Sequence, residues 1–177
     1  MKIVTNAHTI RMLEDWVCEA QTFALRRLRQ PFMLSRMSDI IYPRSCRETM
    51  DGWMHLPRYV DKIRLHLAGK LPPDYQGNLG KGFDGLWLKY AGVTHEQMVE
   101  AVKNSITDGE VCDWVRKNVK KTPTEKAAHA QNQLSRPKPD DPAAQDRFKM
   151  RLKESGLEQR TDLKTFVDYI DADEKRL

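Results

Sequence analysis

The chain has 177 residues, a formal net charge of +5 and 40% hydrophobic residues. This composition is typical of a globular protein with a sizeable core, and it excludes a collagen-like or low-complexity polymer. No stretch approaches the roughly 18 consecutive apolar residues of a membrane span, and three well-separated cysteines argue against a secreted disulfide scaffold. We therefore expect a soluble, cytoplasmic protein with no membrane partner.

The N-terminal residues 1–36 carry a local excess of positive charge, six Lys/Arg against three Asp/Glu. Apolar positions from Ile10 to Leu28 recur at spacings of three and four residues, which predicts an amphipathic helix that Pro31 ends. The alternative is that Met37 is the functional start, so that the preceding residues are an artefactual or removable extension. Both interpretations stay open.

Helical spacing dominates the rest of the sequence, and we predict an all-α fold. An apolar stripe at i, i+3 and i+4 positions predicts a helix over 55–68, which Gly69 ends. Upstream, Ser45 and Glu48 have the spacing of a capping box, which predicts an earlier helix start. A further short helix is predicted over 83–90, where apolar residues again recur at helical spacing.

Three more helix starts share one signature. Thr94, Thr107 and Thr122 each precede a Glu or Gln by three residues. Each therefore predicts a capping box, in which side chains satisfy the first backbone N–H groups of a helix. Ile106, before the second box, is also predicted to pack on Val111 as a hydrophobic staple.

The domain boundaries follow from changes in composition. We expect a helical core domain over residues 42–134 and a proline-rich linker over 135–141. Helical spacing then resumes, so residues 142–176 are predicted to form C-terminal helices that fold back over the core. The sequence thus predicts about six to seven short helices and this C-terminal extension, and no long strand of strict alternation.

Residues 80–85 spell G-x-G-x-x-G, the sequence of a dinucleotide-binding turn. Such a turn requires a buried strand before it, whereas proline, aspartate, glycine and asparagine precede it here. The favoured interpretation is a flexible turn that begins a helix. The five histidines have no metal-ligand spacing with one another or with cysteine, so we expect no metal ion and no cofactor.

The helix over 55–68 carries the leading candidate site. Arg58, Lys62 and His66 are spaced i, i+4 and i+8, so they line one ridge. Because arginine offers paired donors to carboxylates and phosphates, the leading hypothesis is a non-catalytic protein that binds an anionic small molecule or an acidic partner surface. The alternative is an ordinary salt-bridged surface, in which Asp61 pairs with Arg58 or Arg64. The candidate ligand-binding residues are Arg44, His55, Arg58, Asp61, Lys62, Arg64, His66, Tyr75 and Asp84.

Two further functions stay open. An enzyme would use Asp61 or Asp84 as its acid–base and would hold an anionic substrate between the 55–68 helix and the 74–85 loop. The third hypothesis is weak nucleic-acid binding through residues 116–126, where five Lys or Arg side chains accompany one carboxylate. The lack of interleaved aromatic residues argues against a nucleic-acid partner. The sequence leaves the oligomeric state open.

The residues that carry a resemblance are Pro43-Arg44-Ser45, Gly52, Leu56-Pro57-Arg58 with Asp61-Lys62 and Arg64, and Arg136-Pro137-Lys138-Pro139. In these residues the chain resembles an uncharacterised bacterial family, domain of unknown function 5069, over roughly residues 42–177. The resemblance implies a small, helical, soluble bacterial protein and implies no activity. The chain departs from the family pattern at Asn78-Leu79-Gly80, where many relatives have a cysteine and a proline, so the chemistry of this loop is expected to differ.

Overall fold

The computed structural model of the protein describes residues 40–177, of which residues 41–177 form one compact unit. Eight helices and one hairpin make up this part of the chain, which confirms the predicted all-α class there. The helix predicted within 1–36 lies outside the described residues. No helix of residues 40–177 is both long and apolar enough to cross a membrane. The elements are β1 (Thr49–Met50), β2 (Trp53–Met54), α1 (Leu56–Leu67), α2 (Pro73–Gln76), α3 (Phe83–Ala91), α4 (His95–Lys103), α5 (Asp108–Asn118), α6 (Pro123–Leu134), α7 (Pro142–Glu154) and α8 (Phe166–Asp173).

The hairpin of β1 and β2 is a feature that the helical periodicity did not predict. Its strands are antiparallel, and Met50 lies opposite Trp53 across a two-residue turn. Asp51 and Gly52 have φ angles of 52° and 74°. Two consecutive positive φ angles define the type I′ turn, for which Asp-Gly is a preferred sequence.

The helix start predicted at Ser45 is wrong. The Ser45 hydroxyl accepts a hydrogen bond from the Arg47 N–H at 3.1 Å and donates one to Asp171 at 2.7 Å. The Glu48 carbonyl accepts from the His55 N–H at 3.1 Å. The hydroxyl that was expected to cap a helix therefore holds α8 instead, and the backbone continues into the hairpin.

The three predicted capping boxes are confirmed at Thr94, Thr107 and Thr122. Each threonine hydroxyl accepts from the backbone N–H three residues later, and the side chain of that later residue accepts from the threonine N–H. A fourth box begins α8 at Thr165. The staple predicted at Ile106 is wrong, because this residue is 90% exposed.

The central helix of the core is α1. It packs against β1, α3 and α4, and its Leu56, Tyr59 and Ile63 are fully buried. The ring of Trp53 meets that of Trp87 edge to face, with 5.7 Å between the ring centroids, a favoured arrangement of aromatic pairs. Because other elements surround the first two turns of α1, both apolar and polar side chains of Leu56–Ile63 are largely buried.

The C-terminal segment contacts the rest of residues 40–177 at several points besides the Ser45–Asp171 hydrogen bond. Helix α8 packs against α6, with Val167 fully buried. Beyond α8, Glu174 accepts a hydrogen bond from Arg58 of α1. The division into a core domain over 42–134, a linker over 135–141 and C-terminal helices over 142–176 stays a prediction.

Candidate functional site

The polar face of α1 is buried. His55, Arg58 and Lys62 are only 2%, 4% and 5% exposed, so Arg58 and Lys62 do not form an open ridge with His66. The reason is that the turn before α3 covers Lys62 and the segment after α8 covers Arg58. Of the predicted ridge, His66 alone is exposed.

Arg58 and Glu174 form a buried ion pair. Arg58 Nη1 donates to Glu174 Oε2 at 2.9 Å, and Nη2 donates to the other carboxylate oxygen. The Tyr75 hydroxyl and Arg176 also donate to this carboxylate, and the Arg58 guanidinium lies 5.6 Å from the centre of the Tyr75 ring. Two of the predicted ligand-binding residues thus hold an internal carboxylate, and neither is free for an external anion.

A second group joins Arg44, Asp61, Arg64 and Asp108. Arg44 donates to Asp61 through Nε and Nη2, each at 2.8 Å, and its Nη1 reaches Asp108 at 2.8 Å. Arg64 donates to the other Asp108 oxygen at 2.6 Å. The hydrogen bond from Arg44 lowers the pKa of Asp108. A salt-bridged arrangement is therefore present, but Asp61 pairs with Arg44 and not with an arginine of its own helix, α1.

The third group is centred on Asp84, which is 0% exposed. Its Oδ1 lies 2.8 Å from His55 Nε2, and its Oδ2 accepts from Lys62 and from the Gly80 N–H at 3.0 Å. Burial favours the protonated carboxyl, but the hydrogen bond from His55 and the charge and hydrogen bond of Lys62 outweigh burial and lower the pKa of Asp84. An ionised acceptor with three donors is typical of a structural counter-ion, which weakens the hypothesis that Asp84 is an acid–base.

The 80–85 segment contains Asp84 itself and the Gly80 N–H that donates to its carboxylate. Gly80 has a φ of 73°, and a Cβ atom there would lie 2.8 Å from the His95 ring, so a side chain does not fit. Within residues 40–177 the only strands are β1 and β2. The segment therefore lacks the parallel strand that a dinucleotide-binding turn needs before it, and it is a turn that begins α3.

His55 is the histidine bonded to Asp84, and its environment leaves one ring nitrogen unpaired. Because an ionised carboxylate only accepts, the His55 Nε2 carries the hydrogen. Burial lowers the pKa of His55 and outweighs the opposing charge of Asp84, so the ring is neutral. Its Nδ1 thus bears a lone pair, and this buried atom has no hydrogen-bond partner within residues 40–177.

The buried histidines predict a pH dependence of stability. Burial lowers the pKa of His55 and of His129, so the unfolded chain takes up protons at a higher pH than the folded chain does. Their contribution is fully present above the unfolded value of 6.5 and is lost as the pH falls below it. Urea unfolding at pH 7.5 and 5.5 should show a loss of up to about 1.4 kcal/mol per pH unit for each histidine. His129→Gln should reduce this slope, and an unchanged slope would contradict the assignment.

The cationic side chains of residues 116–126 are partly neutralised. Arg116 Nε and Lys126 Nζ each lie 2.8 Å from the Asp51 carboxylate. Lys121 pairs with a glutamate of the same segment at 3.1 Å. Fewer cations are therefore free than the sequence count indicates, which weakens the hypothesis that this segment binds a phosphate backbone.

A cavity of about 470 Å³ opens between the start of α3, helix α7 and helix α8. Its charged lining groups are Arg136, Arg147 and Arg151, and no carboxylate belongs to the lining. The sequence prediction missed this cavity because its residues come from separate segments. The one available signal was the i, i+4 spacing of Arg147 and Arg151 on α7. The other lining residues are Asn78, Gly82, Phe83, Leu86, Ala144, Phe166, Tyr169 and Ile170.

The positive charge at this cavity is less compensated than that on α1. Arg136 is half-buried, and its Nε is a buried donor without a hydrogen-bond partner within residues 40–177. Arg151 pairs with Glu154 at 3.0 Å, but both side chains are about half exposed, where such a pair is weak. A second concavity, of about 650 Å³ between α4 and α5, has only glutamates as charged lining groups. The first cavity is therefore the better place for an anion.

No metal centre is found among residues 40–177, where no three His, Cys, Asp or Glu side chains are placed to share an ion. Cys46 and Cys112 are free and buried. Burial raises the pKa of Cys46 to about 11. Its thiol is therefore protonated at neutral pH and is a poor nucleophile.

Comparison with known proteins identifies the family to which the chain belongs. The family model described as Domain of unknown function (DUF5069) matches residues 40–176. This match includes the three ion-pair groups and the whole lining of the arginine cavity. No curated protein matches the chain. The chain therefore belongs to the family described as Domain of unknown function (DUF5069).

Proposed function

We propose that the protein binds a small organic anion in the cavity lined by Arg136, Arg147 and Arg151. The observation that carries the proposal is that all charged groups lining this cavity of about 470 Å³ are arginines. Its volume lies within the range of small-molecule sites, about 300–1,000 Å³. Guanidinium groups bind carboxylates and phosphates through paired N–H donors, and the Nε of Arg136 has a donor to spare.

The apolar wall supports an anion that has an apolar or aromatic body. Phe83 and Phe166 both line the cavity, and their rings meet edge to face with 6.5 Å between centroids. The Phe148 ring, which is not part of the lining, packs edge to face on Phe166 at 5.3 Å between centroids. Aromatic rings in such arrangements offer edge and face contacts to a planar ligand, which a bare inorganic anion does not use.

The earlier hypotheses for α1 receive less support. Arg58 and Lys62 already bind the buried carboxylates of Glu174 and Asp84, so an acidic partner would have to displace them. No residue of the 55–68 helix lines the arginine cavity. The proposal therefore keeps the anionic ligand of the leading hypothesis and moves it to another surface.

The binding test compares phenyl phosphate with phenol by isothermal titration calorimetry. We expect phenyl phosphate to bind more tightly than phenol, because only the phosphate engages the arginines. Arg136→Gln should weaken phenyl phosphate binding about tenfold or more, since hydrogen bonds to charged groups contribute about 1.5–3 kcal/mol. The free energy of unfolding should change little, because the lost Nε donor has no hydrogen-bond partner within residues 40–177.

The matched control is Arg160→Gln. Arg160 carries the same charge, pairs with the exposed Asp162 at 2.7 Å and is not part of the cavity lining. Phenyl phosphate affinity should be unchanged in this variant. Equal loss in Arg136→Gln and Arg160→Gln would show that net charge alone attracts the probe, and the proposed site would then be rejected.

A further inference from the structure

We infer that His55 is a proton acceptor for the ligand of the arginine cavity, reached when the Phe83 ring moves aside. This inference rests on the proposed function, since it requires a ligand in the cavity. Phe83 is the side chain that the cavity and the histidine share. Its ring lines the cavity and also stands edge-on against the His55 ring, with 5.6 Å between centroids and 69° between planes.

His55 has the bonding pattern of a general base. Nε2 lies 2.8 Å from Asp84 Oδ1, while the buried Nδ1 has no partner within residues 40–177. Buried polar atoms are nearly always hydrogen-bonded, so an unpaired nitrogen on a histidine that packs against the cavity-lining Phe83 points to a role with a ligand. A carboxylate behind one ring nitrogen fixes the ring and stabilises the imidazolium that forms when the other nitrogen takes a proton.

The surrounding backbone holds this arrangement in place. His55 has a φ of 70°, a left-handed conformation that is disfavoured for residues with a Cβ and that persists where the surroundings impose it. Lys62 and the Gly80 N–H both donate to Asp84 Oδ2, which leaves Oδ1 to His55. The carboxylate is therefore oriented by two donors that take no part in the proton transfer.

The reaction class is proton abstraction from an organic anion that carries an acidic O–H or C–H bond. The proton moves from the ligand to His55 Nδ1, and the electron pair of the broken bond stays on the ligand oxygen or carbon. The imidazolium formed is paired with Asp84 through Nε2–H, and it returns the proton to the ligand or to water. The cavity arginines hold the anionic group of the ligand, and no further reactant is needed.

Phe83 is placed to act as the shield because it is the first residue of α3. It is half-buried, and its ring belongs both to the cavity lining and to the surroundings of His55. With the Phe83 ring in this position, His55 is only 2% exposed. Removal or displacement of the Phe83 ring should therefore make the His55 imidazole reachable from the cavity.

The experiment measures carbethoxylation of His55 by diethylpyrocarbonate, which reacts with unprotonated imidazole nitrogens, at pH 7 with peptide mapping by mass spectrometry. The exposed His66 of the same molecule is the internal rate reference. We expect slow modification of His55 in the wild-type protein and at least a tenfold increase in Phe83→Ala. Phe83→Leu should give a smaller increase, and it provides the test if the alanine variant fails to fold. Saturating phenyl phosphate should slow the reaction of His55 in both variants at least fivefold.

Phe148→Ala is the matched control, because it removes the same kind of ring from a residue that packs on Phe166 but does not line the cavity. It should leave the His55 rate close to that of the wild-type protein. The inference is overturned if Phe83→Ala and Phe83→Leu leave the rate unchanged, if Phe148→Ala raises it equally, or if bound phenyl phosphate gives no protection. Failure of phenyl phosphate to bind the wild-type protein would instead overturn the proposed function, and the two failures are thus distinguishable.

Discussion

Glu174→Gln is expected to lower the free energy of unfolding by about 3–5 kcal/mol, the usual cost of breaking a buried ion pair on one side. The substitution keeps the shape of the side chain but leaves the guanidinium of Arg58, which is 4% exposed, without its counter-charge. Since domains of this size are stable by only about 5–15 kcal/mol, this is a large fraction of the total. Urea unfolding at pH 7 measures it, with the m-value as a check on two-state behaviour.

The control for this prediction is Glu100→Gln. Glu100 lies 3.6 Å from Lys103 and is 63% exposed, so the same chemical change should cost less than about 1 kcal/mol. A loss below 1 kcal/mol in Glu174→Gln as well would mean that water reaches Arg58. The buried position of the pair would then be refuted.

Asp84→Asn is the second variant with a large expected effect, also about 3–5 kcal/mol. It removes the charge that Lys62 and His55 share while the volume stays nearly constant. The buried ammonium of Lys62 is then opposed by no carboxylate in this group, which makes its burial unfavourable. Urea unfolding at pH 7 again provides the measurement.

A double variant sharpens this prediction. Asp84→Asn combined with Lys62→Met removes both charges, so it should be more stable than Asp84→Asn alone. Asp146→Asn, at a 79% exposed aspartate, is the matched control and should have little effect. If the double variant were less stable than the single one, Lys62 would stabilise the fold by something other than its pairing with Asp84.

Local features of this fold were readable from the sequence. The capping boxes at Thr94, Thr107 and Thr122 involve residues three positions apart, so neither tertiary contacts nor neighbouring helices are needed to form them. The Asp51-Gly52 turn was equally readable, because Asp-Gly is a strong hairpin signal. It was missed because the flanking strands have two residues each and show no periodicity.

The candidate site was not readable to the same degree. Helical periodicity showed which face of α1 is polar, but it gave no information on what covers that face. The partner of Arg58 lies 116 positions away, and the partner of Lys62 is Asp84, the second residue of another helix, α3. The arginine cavity depends on three segments that come together only in the folded chain. Charge at helical spacing therefore located Arg58 and Lys62 on the polar face of α1 but gave no indication that buried carboxylates pair with them.

The pairing of Arg58 with Glu174 has a consequence for biosynthesis. At the usual elongation rates, about 5–20 residues per second, the ribosome adds Glu174 on the order of ten seconds after Arg58. During that interval the nascent α1 contains an arginine and a lysine whose final surroundings are not yet complete, so the native core cannot close around it. Folding of this domain is therefore expected to finish only after translation has passed residue 174, and chaperones would encounter α1 before that point.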